Sequence, residues 1–267
     1  MTPAKPLGGK TYGSIPHLPG SRMGVGDHHC PEGQERICTV RVRDVHDRII
    51  VQEKLDGSNV GVARINGQIV ALTRAGYLAQ TSPYAQHHAF ADWVAAHRDR
   101  FAAVLQDGER LVGEWLFQAH STRYDLVHEP FVAFDLMIGK VRATHAGMQE
   151  RVAKRFVMPH VIHVGSALAV ADAMQALGEH GKHGARDPIE GIIYRVERNQ
   201  IVSGTQGNVR TWQVDFLAKY VRPEKVDGLY LEGVTGHPAV WNTYPASDQR
   251  AIAEHTGHTE EDMHEPV

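Results

Sequence analysis

The feature of this chain that most limits its fold is a turn signal at residues 65–68, INGQ. Asn66-Gly67 stands between two β-type runs, NVGVARI and QIVALTR. An Asn-Gly pair between such runs is the strongest short-range hairpin signal, because the two-residue turn needs positive φ at both positions. The sequence therefore predicts two antiparallel strands here and an antiparallel sheet within the fold.

Further strands and helices are predicted in alternating blocks. Short β-type runs occupy 37–75, and a segment with apolar residues at helical spacing follows from Ser82-Pro83. Residues 145–157 and 166–180 also predict helices. The later predicted strands are ERLVGEWLF, PFVAFDLM, IEGIIYRVE, QIVSG and WQVDFLAKYV. Antiparallel strands in two blocks with helices between them predict an α+β fold.

The two ends of the chain differ from this pattern. Residues 1–36 are rich in Gly and Pro and lack periodicity, which predicts an extended arm. The residues from about 240 are polar and acidic, and they predict a helix and a frayed end. The intervening residues are numerous enough to bury a sizeable core.

Composition excludes several classes of protein. No apolar run approaches the roughly 18 residues of a membrane helix, and the N-terminus lacks the apolar stretch of a secretory signal. Two cysteines, Cys30 and Cys38, fit a reducing compartment, so we expect a cytoplasmic protein without membrane partners. With His28 and His29 they also allow a zinc site, although an ordinary loop fits their spacing better.

Charge is nearly balanced, since the net charge is −3. This argues against a protein coated with cations for nucleic-acid binding, but it leaves room for a local basic groove. The segment 195–225 is either a solvated face or a phosphate-binding floor. Its cations are Arg195, Arg198, Arg210, Lys219, Arg222 and Lys225, against Glu197, Asp215 and Glu224.

Lys54 raises the central question about function. It ends a predicted strand between Glu53 and Asp56, in EKLDGSN. It is either a solvated lysine at a strand end or a nucleophile, and an amine attacks only when it is deprotonated. If the electrophile is a phosphorus atom of a nucleotide, the site needs cations that neutralise the phosphate oxygens and carboxylates that hold these cations. It also needs a flat apolar side chain against the nucleotide base. Each kind of residue recurs at a strand or strand end: Arg74, Glu114, Phe134, Glu190 and Lys219.

In order, these segments resemble the motifs of the covalent nucleotidyltransferase superfamily of polynucleotide ligases and mRNA capping enzymes. EKLDGSN is similar to the first motif, and Asn59 after Gly57-Ser58 is closest to the RNA ligase 2 type. LTRAGY, VGEWLF, FVAFDLM, EGIIYRV and LAKYVRP resemble the following motifs. Any one of these strings is weak evidence, but six in the right order are a strong signal.

The resemblance implies a fold and a division of the chain. It implies an antiparallel-sheet nucleotidyltransferase domain, the ATP-grasp-like adenylation domain of ligases, over residues 37–230. Residues 1–36 would form the arm and 231–267 a short tail. Lys219 stands 48 residues before the end of the chain, too few for the OB-fold that DNA ligases and capping enzymes append, so we expect no C-terminal OB-fold.

The resemblance also implies roles for single residues. Lys54 would attack the α-phosphate of ATP and form lysyl-AMP. Glu190 would hold Mg²⁺ or Mn²⁺, with Asp56 as a second metal ligand, and Lys219 would touch the α-phosphate. The remaining contacts to ATP would come from Glu53 at adenine, Asn59 at phosphate, Arg74 and Glu114 at the ribose, and Phe134 stacked on the base.

One departure concerns the fifth motif, which usually has two lysines separated by one residue. Here Val221 stands two positions after Lys219, so Arg222 or Lys225 would have to supply the second charge. The resemblance then implies an ATP-dependent RNA ligase that joins 5′-phosphate to 3′-hydroxyl RNA ends, in RNA repair, with an end-healing kinase/phosphatase as a possible partner. The alternatives are a DNA-nick ligase, a capping-type enzyme and an inactive nucleotide-binding module.

Overall fold

The strands form two antiparallel sheets in the computed structural model, which describes residues 5–204 and 207–245. The first sheet has the order β7-β1-β8-β9, with β1 Asp47–Lys54, β7 Val161–Gly165, β8 Gly191–Gly204 and β9 Gly207–Val221. The second has the order β3-β2-β4-β5-β6, with β2 Ser58–Ile65, β3 Gln68–Thr73, β4 Glu109–Trp115, β5 Phe131–Ile138 and β6 Val141–Arg142. Helices separate several strands, so the predicted α+β fold with antiparallel sheets is confirmed.

The helices are short. They are α1 Glu32–Thr39, α2 Ala85–Ala96, α3 Arg98–Ala102, α4 His145–Arg151, α5 Val170–Leu177 and α6 Glu232–Thr235, with one 3-10 turn at Ala79–Thr81. None of the helices within the described residues is long and apolar enough to cross a membrane. The helix predicted after Ser82-Pro83 is present as α2 and α3.

The β-type run predicted from residue 37 is wrong at its start, because residues 32–39 form α1. Pro31 precedes this helix with φ −57°, and Glu32 and Glu35 lie in its first turn. A fixed φ and acidic residues at a helix N-terminus both favour helix. Cys38 is the buried residue of α1, and the half-buried Ile37 packs against the same core, so these two side chains orient the helix.

Three other differences concern segment length. Strand β7 lies between the two predicted helices, α4 covers only His145–Arg151 of the predicted 145–157, and α5 covers only Val170–Leu177 of the predicted 166–180. QIVSG is part of the 14-residue strand β8 rather than a separate strand. Of the helix and frayed end predicted from about 240, residues 246–267 lie outside the described residues, and Trp241 and Thr243 form isolated β-bridges.

The hydrophobic core joins both sheets and α2. Trp93 of α2 packs on Trp115 of β4 and Phe131 of β5, with ring centroids 5.6 Å apart in both pairs. Gly113 makes room for this cluster, because a Cβ there would lie 2.4 Å from the Phe131 ring. Residues of β1 and β8, including Ile49 and Tyr194, belong to the same cluster.

The N-terminal segment pairs with the outer edge of β9. Leu18 N–H donates to Lys219 O at 2.8 Å, and Lys219 N–H donates to Pro16 O at 2.9 Å. Arg22 N–H donates to Val221 O at 3.0 Å. The arm therefore covers the edge of the sheet where Lys219 lies.

Candidate active site

A cavity of about 680 Å³ lies where residues of both sheets meet. It is lined by nine of the predicted site residues: Glu53, Lys54, Asp56, Asn59, Arg74, Glu114, Phe134, Glu190 and Lys219. Arg222 is not among the lining residues. The structure thus brings together residues spread over more than 160 positions of sequence, which composition alone could not indicate.

Strand pairing explains why the charged residues meet. Lys54 at the end of β1 is paired with Gly191 of β8, the residue after Glu190. Gly191 is paired in turn with Val221 of β9, two residues after Lys219. A Cβ on Gly191 would lie 1.9 Å from Tyr220 O, so only glycine allows these strands to approach here. Three neighbouring strand ends therefore deliver Lys54, Glu190 and Lys219 to one place.

Lys54 and Glu190 form a direct ion pair. The Lys54 ammonium also donates to Leu55 O at 3.4 Å, and its side chain is 19% exposed. Burial lowers the pKa of Lys54, but the carboxylates of Glu190 and Glu114 outweigh burial and raise that pKa above its usual value. The amine is therefore protonated in this state of the site, and attack requires the carboxylate charge to be neutralised.

Glu114 approaches Lys54 from the second sheet. Gly57 N–H donates to Glu114 Oε1 at 3.2 Å. A Cβ on Gly57 would lie 2.5 Å from Trp115 O, so glycine lets the turn after Lys54 pack against β4. Burial raises the pKa of Glu114 to about 8, and Glu190 contributes to the rise while Lys54 opposes it.

Phe134 is half-buried and rests on a charged network. Its ring lies edge-on to Tyr12, with centroids 5.3 Å apart. Beneath it the Asp135 carboxylate is fully buried and pairs with Arg195, and Tyr12 O–H donates to Asp135 Oδ2 at 2.5 Å. Arg195 Nη2 also donates to Phe134 O at 3.2 Å. This network fixes the backbone that carries the ring.

Lys219 is held by the N-terminal arm. Its ammonium lies 3.6 Å from Asp27 Oδ1, and Asp27 Oδ2 is 3.0 Å from His17 Nε2. Burial and the charge of Lys54 lower the pKa of Lys219. Arg74 is exposed at the edge of the cavity, and its carbonyl accepts a hydrogen bond from Thr11 N–H of the same arm at 3.0 Å. The arm therefore positions two cations of the cavity.

The candidates for the second cation of the fifth motif lie elsewhere. Arg222 contacts Glu224 and Gly178 O, both at 3.4 Å. Lys225 is buried, and its ammonium donates to Ser121 O at 2.8 Å and to Pro188 O at 2.7 Å. Neither side chain lines the cavity. Arg222 as a contact to ATP stays a prediction.

The reading of 195–225 as a phosphate-binding floor is wrong for several of its cations. Arg195 is buried on Asp135, and Lys225 is buried among carbonyl groups. Arg198 is half-buried and bound to Asp44 and Asp47. A basic stretch in sequence does not make a basic surface when acidic partners come from distant segments.

Comparison with known proteins decides the family. The model of a family described as RNA ligase matches residues 47–221, more than half of the chain. The chain belongs to the RNA ligase family. The matched segment begins with β1 and ends with β9, so the family match includes each strand that brings Lys54, Glu190 and Lys219 together.

Solved structures with similarity to this RNA ligase family member have low identity. An RNA ligase of Naegleria gruberi, determined with ATP and Mn, is 17% identical with a TM-score of 0.43, over 66% of this chain and 50% of that one. An archaeal ATP-dependent RNA ligase is 20% identical, with a TM-score of 0.39, over 66% and 43%. An Aquifex aeolicus protein described as an ATP-dependent DNA ligase is 14% identical, with a TM-score of 0.40, over 65% and 43%.

These comparisons limit what the chain's relatives can show. The chain spans about half the length of the Naegleria protein, and TM-scores below 0.5 carry no argument about function. A search of curated proteins gives no significant match.

The cavity contains oxygen atoms of the kind that bind a divalent cation. Asn59 Oδ1 is buried without a hydrogen-bond partner among the described residues and lines the cavity. Burial raises the pKa of both Glu190 and Glu114, and the charge of Glu190 adds to the rise at Glu114. Carboxylate oxygens of this kind are the donors that hard cations prefer. Within the described residues, no three His, Cys, Asp or Glu side chains form a preassembled metal site.

Asp56 is less available as a ligand than Glu190. Its carboxylate Oδ2 accepts hydrogen bonds from Ser121 N–H at 2.9 Å and from Thr122 O–H at 3.1 Å. Asp56 thereby holds the 121–122 loop, which also binds Lys225. Its assignment as a metal ligand stays a prediction of the sequence.

Several residues of the cavity were missed in the sequence. Tyr12, His87, His120 and Arg195 line it beside the predicted residues. Arg195 stands inside EGIIYRV but was given no role in the cavity, His87 and His120 lie outside the motif strings, and Tyr12 comes from a segment without periodicity. The cluster of polar residues in SPYAQHH, on the buried side of a helix start, was the available signal for His87.

The raised pKa of Glu53 can be tested by measuring how the stability of the protein depends on pH. Glu53 is 2% exposed, Lys182 N–H donates to its Oε2 at 2.9 Å, and burial raises its pKa to about 7. The folded chain therefore retains a proton that the unfolded chain releases near pH 4, and stability falls as pH rises towards 7. We expect the free energy of unfolding of the wild type to fall by about 2–3 kcal/mol between pH 5 and 8, relative to the change in the Glu53→Gln variant.

Urea unfolding of both proteins at four pH values measures this difference. The Gln side chain keeps an acceptor for Lys182 N–H but does not titrate, so other titrating groups cancel in the comparison. Parallel pH profiles for the two proteins would contradict a raised pKa at Glu53.

Proposed function

We propose that this chain is an ATP-dependent RNA ligase that acts through a lysyl-AMP intermediate. The observation that carries the proposal is the cavity position of Lys54, with Glu190, Glu114, Lys219 and Phe134 around it. A family member with a lysine nucleophile, carboxylates, a phosphate-binding cation and an aromatic wall in one cavity has every group that nucleotide transfer needs.

In the first step, Lys54 Nζ attacks the α-phosphorus of ATP. The ammonium of Lys54 first releases a proton to solvent. A bond then forms between nitrogen and phosphorus as the bond to the pyrophosphate oxygen breaks, pyrophosphate leaves, and the second proton on the attacking nitrogen also passes to solvent. Lys219 would stabilise the charge on the α-phosphate oxygens, and Phe134 would stack on adenine. The arm contacts at Lys219 keep that ammonium aimed at the same place as Lys54.

Deprotonation of Lys54 is the step that Glu190 controls. While its carboxylate is free, Glu190 holds the proton on the amine. A Mg²⁺ or Mn²⁺ ion held by Glu190, with Asn59 beside it, would supply positive charge that removes this effect and neutralises phosphate. Glu114 and Arg74 would bind the ribose hydroxyls of ATP.

The next two steps join RNA ends. AMP passes from Lys54 to a 5′-phosphate, and the 3′-hydroxyl of the other strand then attacks that phosphate and releases AMP. Ends of this kind require an activity that leaves 5′-phosphate and 3′-hydroxyl groups, such as a kinase/phosphatase, so RNA repair in the cytoplasm is the setting we propose. Asn59, in the position typical of the RNA ligase 2 type, favours RNA over nicked DNA.

Intact mass measurement tests the first step directly. We expect incubation with ATP and Mg²⁺ to add the mass of one AMP to the chain and to release pyrophosphate. Addition of pyrophosphate should reverse the adduct. A chain that binds ATP without gaining this mass would be a nucleotide-binding module, and the proposal of a ligase would fail.

Phe134 is expected to act through its flat ring. Phe134→Ala should reduce the rate of adduct formation at low ATP by roughly tenfold, because stacking contributes about 0.5–1.5 kcal/mol beyond burial and the truncated ring also loses apolar contact. Phe134→Tyr and Phe134→Trp should retain most activity. Initial rates over a range of ATP concentrations measure the effect, and equal losses in all three variants would indicate a packing role instead.

A further inference from the structure

One wall of the cavity is polar, and apart from Ser58 it contains no residue of the motif strings. We name it the imidazole wall; it consists of Ser58, Ser82, His87 and His120, which line the cavity, with Gln86 buried behind them. Its helical part comes from SPYAQHH, at the start of α2. The proposed chemistry at Lys54 uses none of these side chains.

The hydrogen bonds of the imidazole wall run in a fixed direction. Ser58 Oγ donates to Gln86 Oε1 at 2.9 Å, because an amide oxygen only accepts. Ser58 Oγ then accepts from His87 Nε2 at 3.3 Å, and His87 Nδ1 accepts from Ser82 O–H at 2.6 Å. At the other end, His120 Nε2 donates to Gln86 Oε1 at 3.3 Å. A neutral His120 therefore carries its proton on Nε2 and a lone pair on Nδ1.

The wall is uncharged at neutral pH. Burial lowers the pKa of both His87 and His120 to about 4. No described residue donates a hydrogen bond to His120 Nδ1, so its lone pair is available in the cavity. A phosphate group would find an acceptor and no cation there, whereas a hydroxyl group would donate to it. The wall is therefore suited to a hydroxyl group.

The position of the wall indicates which molecule provides that hydroxyl. His120 lies close enough to Lys54 and Glu190 for their charges to act on its ring. At the other end, Tyr84 lines the cavity with 61% of its surface exposed, and its ring meets the His87 ring edge-on at 5.7 Å. An exposed aromatic ring at a cavity mouth stacks with an unpaired base.

We propose that the imidazole wall and Tyr84 form the subsite for the last nucleotide of the 3′-hydroxyl RNA strand. Tyr84 stacks on its base, and His120 Nδ1 accepts a hydrogen bond from its 2′-hydroxyl. The assignment rests on the proposed function, since only a chain that joins RNA ends needs this strand beside Lys54. It adds a binding role and no covalent step.

Equilibrium binding without ATP tests the hydroxyl contact. The probes are a short fluorescent RNA with a 3′-hydroxyl end and the same RNA with a 2′-deoxy last nucleotide. Loss of one hydrogen bond should weaken binding of the deoxy probe to wild type by roughly 3- to 10-fold. In His120→Gln the two probes should bind equally, because the amide keeps a donor for Gln86 and loses the acceptor at the Nδ1 position. In His120→Asn the preference should persist, because Oδ1 replaces Nδ1.

Two further comparisons test which molecule provides the hydroxyl group and whether Tyr84 stacks on a base. The affinities for ATP and 2′-deoxy-ATP are measured with the same variants. If His120→Gln changes the ratio of these two affinities but leaves the ratio of the two RNA affinities unaltered, His120 binds the ribose of ATP and the proposal is overturned. Tyr84→Ala should weaken both RNA probes roughly tenfold and Tyr84→Phe should not. Equal binding by all three proteins would overturn the stacking contact.

The binding arms also distinguish this inference from the proposed function. If the chain forms no AMP adduct but the 2′-hydroxyl preference depends on His120, the ligase proposal fails and the subsite stands. If the adduct forms and His120→Gln keeps the full preference for the ribose end, the ligase proposal stands and the subsite fails.

Discussion

Lys54→Ala and Lys54→Arg are both expected to abolish the covalent AMP adduct. Alanine removes the nucleophile, and arginine keeps the positive charge but does not deprotonate to attack. Intact mass measurement after incubation with ATP and Mg²⁺ detects the adduct on the wild type and its absence from both variants. Arginine retains the positive charge that pairs with Glu190, so we expect the Lys54→Arg variant to fold.

Lys140→Arg is the matched control, because Lys140 is exposed in the turn between β5 and β6 and lies outside the cavity lining. It should form the adduct at the wild-type rate. Lys219 is the other lysine that lines the cavity, so an adduct that persists in Lys54→Arg would direct the search for the nucleophile there.

Asp135→Asn is expected to produce the largest loss of stability. The Asp135 side chain is fully buried, and Arg195 is 3% exposed, so the substitution leaves a buried guanidinium without its carboxylate. Breaking a buried pair in this way costs about 3–5 kcal/mol. Urea unfolding at pH 7 measures the loss. We expect Glu224→Gln to change stability little, because Glu224 is 66% exposed in its pair with Arg222.

The double variant Asp135→Leu with Arg195→Met separates charge from packing. Replacing both partners with apolar residues removes the uncompensated guanidinium of Arg195, but Tyr12 O–H and Arg142 still lose their acceptor, so stability should recover only part of the loss. A single-variant loss below about 1 kcal/mol would mean that other groups satisfy Arg195 when Asp135 is neutral.

The sequence predicted which residues line the cavity better than it predicted the contacts of the residues around them. Lys54, Glu114, Phe134 and Glu190 stand in short motifs on strong strand patterns, so order along the chain was enough to group them. Lys225 shows the opposite case, because its carbonyl partners come from positions near 121 and 188. No local pattern reports a contact of that range.

Contacts between residues far apart in the sequence also explain why strand β7 and the order of the N-terminal arm were not predicted. Strand β7, VIHVG, is only five residues long and carries a histidine at its centre, so its pairing with β1 outweighs a weak local signal. The N-terminal arm has no periodicity because its order depends on backbone bonds to β9 rather than on a buried face. His120 Nδ1 acquires its availability from Gln86, a residue in a separate element.

The order of strands in the first sheet has a consequence for synthesis on the ribosome. Strands β2 to β5 pair with neighbours that follow closely in the chain, but β1 pairs only with β7 and β8. At about 5–20 residues per second, β1 waits on the order of ten seconds for its first partner. The second sheet can assemble in that interval, while the strand with Lys54 remains unpaired. The surroundings of Lys54 are therefore completed only after β7, β8 and β9 have been synthesised, when the second sheet can already have formed.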